Sequence, residues 1–100
     1  MTDLEKQFHK EMIDICSKSK KELKYNPSRF LQMVGEIGGV EAAKRVISSN
    51  LPAEGFVTLW ENGRLDLSVE ACVLKHEYGE LFTDEERRKC ANRLSQYGYK

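Results

Sequence analysis

No stretch of this sequence stays apolar for the roughly 18 residues at which a bilayer-spanning helix becomes a candidate, and neither sign of charge is in excess. Sixteen basic and sixteen acidic residues cancel. A balanced chain lacks the broad basic field that draws most nucleic-acid-binding domains to phosphate, so only a local patch is left for that role. Cysteine is scarce. Cys16, Cys72 and Cys90 are widely spaced and odd in number, with no C-x-x-C pair. That fits reduced thiols in a cytoplasm, where we expect the protein, better than a disulfide framework. His9 and His76 are the only histidines. A structural zinc site wants four ligands, and these residues do not supply them, so no metal is expected. No cofactor is expected either. Gly35, Gly38 and Gly39 lack the Lys-Ser/Thr of a phosphate-binding loop. The segment MTDLEKQFHK has no apolar centre of the kind a signal peptide needs.

What is present fits one folded domain of 100 residues, with 40% hydrophobic and 32% charged side chains. Thr2-Asp3-Leu4-Glu5 reads as a capping box, and a helix should follow to about Lys24. Leu4, Phe8, Met12, Ile15, Cys16 and Leu23 recur in steps of three and four and make a narrow stripe. Such a stripe packs on one neighbour, which is either the rest of the chain or a second copy. Lys18, Lys20, Lys21 and Lys24 form a solvated face where the helix dipole favours cations.

Tyr25-Asn26-Pro27 is a boundary, with Asn26 as cap and Pro27 as first helical residue. The next helix runs from Pro27 to Ile37 with Phe30, Leu31, Val34 and Ile37 inward. Gly38-Gly39 breaks it. A third helix spans Val40 to Ser48 with Val40, Ala43, Val46 and Ile47 inside. Two helices at a Gly-Gly corner resemble a helix-turn-helix, in which Glu41, Lys44 and Arg45 would face DNA. The same pattern is an ordinary packing solution, and Glu41 would oppose phosphate. Ser48–Pro52 reads as a loop and a mobile link.

Gly55–Leu74 interleaves apolar and charged residues most closely. Phe56, Leu59 and Trp60 share a helical face, and Asn62-Gly63 ends that helix. Leu65, Leu67 and Val69 alternate with polar residues. A short strand fits, but we expect a buried extended connector. Ser68 then caps a helix whose face is Val69, Cys72 and Val73 and which ends at Gly79. Cys72 and His76 would share that helix's face. A nucleophilic Cys/His pair also needs an orienting group and a lowered thiol pKa. An apolar position argues for a structural cysteine instead. Arg64 and Asp66 make a local ion pair, or with Trp60 a recognition patch, since Trp and Arg are common interface anchors. Leu81 and Phe82 should be buried. Thr83-Asp84-Glu85-Glu86 caps a last helix with Cys90, Ala91, Leu94 and Tyr97 inside, ending at Gly98. Its Arg87, Arg88, Lys89 and Arg93 complement the dipole or touch phosphate.

The stretches YNPSRFLQMV, GGVEAAKRVI, EGFVTLWENGRLDLSVEACVL, LFTDEE and QYGY lie between Tyr25 and Tyr99. This segment resembles a small bacterial helical domain of uncharacterised function. That domain occurs alone or at the C-terminus of larger proteins, some nuclease-like or restriction-like. The first helix lies outside the resemblance. The family brings no established catalytic residues, so none carries over. The resemblance implies a modular accessory role beside nucleic-acid enzymes or in phage defence.

These readings converge on an all-α fold, a compact bundle of five to six helices forming a single domain. A long N-terminal helix in residues 1–24 should cross a helical core in residues 25–100. The expected function is a non-enzymatic protein-interaction or self-association module, binding a protein partner or forming a homodimer. Trp60, Arg64, Asp66 and the outer face of the first helix would carry it. The alternative is a nucleic-acid-binding accessory domain using Lys44, Arg45, Arg87, Arg88 and Arg93. No three residues assemble into nucleophile, base and oxyanion stabiliser, so no enzyme is expected.

Overall fold

Both expected capping boxes form. Thr2 Oγ1 accepts the Glu5 N–H at 3.1 Å, and Glu5 Oε1 accepts the Thr2 N–H at 3.0 Å. Thr83 and Glu86 repeat the exchange at the last helix. The structure, a computed structural model, describes residues 2–50 and 54–99. Its elements are α1 (Asp3–Leu23), α2 (Ser28–Ile37), α3 (Gly39–Ser48) and α4 (Glu54–Glu61). A 3-10 turn at Leu65–Leu67 leads to α5 (Val69–Val73), a second 3-10 turn at His76–Tyr78, and α6 (Asp84–Gln96). Among the described residues there is no strand, and no helix is long and apolar enough to cross a membrane. Of the expected link Ser48–Pro52, Leu51 and Pro52 lie outside the described residues.

The stripe on α1 closes onto its own chain. Phe8, Met12, Ile15, Cys16 and Ser19 are buried, and α1 packs on α2, α3 and the Leu65–Leu67 turn. The Phe8 ring meets Tyr78 edge-on at 4.9 Å and Phe82 at 5.1 Å. Around them Val34, Ala42, Ala43, Ile47, Val73 and Cys90 complete the main core. A second cluster gathers Phe56, Leu59, Leu65, Leu67 and Leu94 at the other end. The two small residues Ala42 and Ala43 are wholly buried and let α3 approach its neighbours closely.

Several sequence expectations shift by one or two positions. Pro27 is the N-cap rather than the first helical residue, and its carbonyl accepts the Leu31 N–H. Leu31 is 40% exposed, while Met33 packs on the core instead. The face that points inward is Phe30, Met33, Val34 and Ile37, and Leu31 sits about 100° around the helix from Phe30. Helix α6 repeats the lesson. Cys90, Arg93 and Leu94 are buried, whereas Ala91 is exposed. The Leu65–Leu67 connector is a 3-10 turn, closed by the Leu67 N–H to Arg64 and the Ser68 N–H to Leu65. Ser68 caps α5 as expected, accepting the Ala71 N–H at 3.1 Å. But α5 stops at Val73 rather than Gly79. Lys75 is extended, so Cys72 and His76 do not share a helix.

The α1/α3 crossing depends on Gly39. A Cβ there would lie 2.7 Å from the backbone Cα of His9. The Gly39 N–H, free at the start of α3, donates to His9 Nδ1 at 2.9 Å. Electrostatics ties α3 to α6. Glu86 Oε1 accepts both the Thr83 N–H and Lys44 Nζ at 2.9 Å, and Lys44 lies over the Phe82 ring at 5.4 Å. Burial alone would push the Glu86 carboxyl up. The Thr83 and Lys44 hydrogen bonds outweigh it and hold the group below the usual carboxylate range.

Two predictions follow from these contacts. Gly39→Ala should cost about 1–3 kcal/mol, because backbone must move. Gly35→Ala, with nothing within 4 Å of the new methyl, should stabilise by about 0.5–1 kcal/mol. Urea denaturation of the two variants checks the opposite signs. A carboxyl with a lowered folded pKa stabilises above its unfolded pKa of about 4.3 and loses that contribution as pH falls through the folded value. Stability should therefore decline on acidification below about pH 5. Glu86→Gln should be less stable at neutral pH and show a shallower acid decline, with a residual slope from Glu5 and Glu11, also held low. Denaturation midpoints across the acid range measure this.

Candidate functional site

Trp60 is 46% exposed although it is the chain's only tryptophan. Its ring is held rather than loose. Tyr97, from the end of α6, meets Trp60 edge-on at 5.3 Å and Phe56 edge-on at 5.0 Å. Edge-to-face pairs of this kind are favourable beyond the area they bury. One helix face therefore carries a buried Phe56 and a half-exposed Trp60, with Tyr97 bridging them.

Arg64 and Asp66, the other members of the expected patch, are used on each other. Arg64 donates from Nε and Nη2 to the two Asp66 oxygens at 3.1 and 3.3 Å, and from Nη1 to Glu22 at 2.8 Å. The Asp66 and Glu22 carboxylates raise the guanidinium pKa above its ordinary value. This fork fastens the Leu65–Leu67 turn to the last turn of α1. The left-handed Gly63, at φ 68°, makes the reversal that brings Arg64 there. Asp66 stays exposed as well, and Trp60 is the member of the three with no part in the ion pairs.

The expected cations are separated. Lys44 pairs with Glu86. Arg87 is half-buried and donates to the Leu74 carbonyl at 2.9 Å. Arg93 is 6% exposed and binds Glu70 at 2.8 Å, the Ser49 carbonyl at 2.6 Å and the Val46 carbonyl at 3.4 Å. Burial removes Arg93 from any phosphate-facing surface. Arg45 and Arg88 remain exposed.

An open cleft of about 560 Å³ lies between α1, α2, α4 and the start of α5. Ile15, Phe30, Met33, Val46, Phe56 and Leu59 form apolar walls. Glu70 lines it as well, and is 1% exposed overall. Glu70 Oε2 is taken by Arg93. Among the described residues no donor reaches Oε1, and the one sealed side-chain atom without a partner is Arg87 Nε, not this oxygen. Sequence reasoning missed both Glu70 and the cleft. The available signal was Arg93 three residues after Cys90 on an apolar face, since a cation in that position needs a buried anion.

Glu11 accepts from Lys75 Nζ at 2.5 Å and from Tyr78 Oη at 2.7 Å. Burial pushes the Cys16 thiol up to about 11 and those of Cys72 and Cys90 up to about 12, with the negative charges of Glu11 and Glu70 adding to it. These thiols are protonated at neutral pH, the opposite of an activated nucleophile. Among the described residues no group of three His, Cys, Asp or Glu could hold a metal ion. No protein-family model, curated protein or solved structure matches the chain.

The thiols give a direct check. The native protein at neutral pH should react with none of its three cysteines on the timescale in which a free thiol is consumed, and with all three in denaturant. An aromatic disulfide reagent counts them.

Proposed function

We propose that this domain is a non-catalytic protein-interaction module whose anchor is Trp60, and that its partner is a second copy of the same chain. The observation that carries the reading is a 46% exposed tryptophan clamped edge-on against Tyr97. Tryptophan is among the commonest residues to dominate an interface. A ring already fixed by its neighbours loses little freedom on docking, so more of its burial counts towards binding. A net charge of zero adds no long-range repulsion between copies. The buried stripe of α1 supports a seam elsewhere, because that stripe is already covered within the chain. A cytoplasmic, accessory module is the setting we propose, in keeping with the resemblance of the Tyr25–Tyr99 segment. The nucleic-acid alternative rests on Arg45 and Arg88 as its exposed members, since Lys44, Arg87 and Arg93 are engaged internally.

Solution mass tests the reading. Wild type should gain mass between micromolar and millimolar concentration, and Trp60→Ala should stay monomeric with an unchanged helical spectrum. A wild type that is monomeric throughout, with Trp60 equally quenched by iodide at both ends of the range, overturns self-association. Salt-dependent binding to duplex DNA at low ionic strength, lost in Arg45→Glu/Arg88→Glu, would favour the alternative.

A further inference from the structure

We infer that the contact between His9 and Gly39 is an acid-released latch: the neutral imidazole ties α1 to the start of α3, and a proton on the ring unties it. The inference is independent of the interface reading above. Three observations lead to it. The first is the bond itself. The Gly39 N–H donates to His9 Nδ1 at 2.9 Å. A ring nitrogen accepts only through its lone pair, and in the imidazolium both nitrogens carry hydrogen and only donate. The bond therefore fixes the proton of the neutral ring on Nε2, and it cannot coexist with a second proton.

The second is the fit. A Cβ on Gly39 would stand 2.7 Å from the His9 Cα and 3.3 Å from the His9 Cβ and backbone nitrogen. The two backbones nearly touch at this crossing. Gly39 is buried, so its amide has little water to turn to when the ring stops accepting. A buried amide without a partner is costly. His9, by contrast, is half-buried, and solvent protons reach its ring.

The third is electrostatics. Gly39 is the first residue of α3, and the free amides of a helix start carry a partial positive charge. An imidazolium there faces both a donor aimed at it and the positive end of the helix. The other charges within a turn of the contact come from three helices: Glu5, Lys6 and Lys10 on α1, Glu36 on α2 and Glu41 on α3. Glu5 is committed to the Thr2 cap. Glu36 and Glu41 are exposed, as are the two lysines that oppose them, and solvent screens all four. Elsewhere along α1, Glu77 of the second 3-10 turn accepts from Gln7. The Leu65–Leu67 turn brings Arg64 and Asp66 to the far end, beside Glu22. The unfolded chain takes up a proton on histidine near pH 6.5, whereas the latched ring must release Gly39 to do so. The unfolded state therefore binds more protons below that pH, and stability falls as pH drops through it.

His9→Asn supplies the test. Asn carries an amide oxygen at the same δ position as Nδ1, accepts the same N–H and does not titrate. From about pH 7.5 to about 5.5, the unfolding equilibrium constant of wild type should rise by up to about tenfold per pH unit, while that of His9→Asn stays flat. This window lies above the range in which Glu5, Glu11 and Glu86 lose their contributions. His76→Gln, which removes the other histidine, should keep the wild-type slope. In nitrogen-15-labelled wild type the Gly39 amide resonance should move with the titration of one histidine, and its protection from hydrogen exchange should fall at least tenfold over the same window. A Gly39 amide indifferent to histidine titration, or a His9→Asn variant with the wild-type slope, overturns the latch. If His9→Asn does not fold, the Gly39 resonance of wild type decides alone.

Discussion

Arg93 and Glu70 form an ion pair at 2.8 Å with almost no exposure on either side, and three helices are positioned by it. The guanidinium reaches from α6 to Glu70 on α5, then to the Val46 and Ser49 carbonyls at the C-terminal end of α3. Lys89 adds a donor to the Ser48 carbonyl at 3.1 Å. The end of α3 has carbonyls with no intrahelical partner and a partial negative charge. Two cations from α6 satisfy both. Such a pair is not necessarily stronger than an apolar one of equal size, because desolvating two ions offsets most of their attraction. Its contribution is direction. A planar fork with fixed donors fits these acceptors in one orientation of α6, whereas leucine in the same place would accept several.

The same pair shapes the cleft. Glu70 is buried and lines the cleft beside the apolar walls of Ile15, Phe30 and Phe56, with Ser19, Asn26 and Arg29 also on the lining. On the adjoining face, the Arg64 fork holds the Leu65–Leu67 turn against α1 and thereby fixes the end of α4 that bears Trp60. Two arginines with opposite degrees of exposure thus frame one surface. Neither is free to meet a ligand by itself.

Local signals in the sequence were reliable wherever a single segment satisfies its own backbone. The capping boxes at Thr2 and Thr83, the Ser68 cap and the reversal at Gly63 are contained within a few residues, and they form as expected. The all-α class follows from the 3.6-residue spacing of apolar side chains. Where a position had two candidates two residues apart, the pattern misled. Leu31 and Ala91 are hydrophobic but sit off the face that packs, while Met33 and Arg93 sit on it. The end of α5 was misjudged for the same kind of reason. Lys75 takes an extended backbone just after α5 and pairs with Glu11, a residue 64 positions away.

The sequence by itself determined the helices, their caps and the hydrophobic face of α1, because capping and periodicity are decided by neighbours within about one turn or two. Only the tertiary structure decided which charges face inward and which aromatic faces out. A lone arginine in sequence is a surface residue by default, and it becomes a core residue when Glu70, 23 positions earlier, is brought to it. A lone tryptophan is by default buried, and it stays outside here because Tyr97 occupies one side of its ring and no described element covers the other. Burial depends on which elements meet, and the meeting of α5 with α6, or of α4 with the end of α6, is set by the packing of the whole chain.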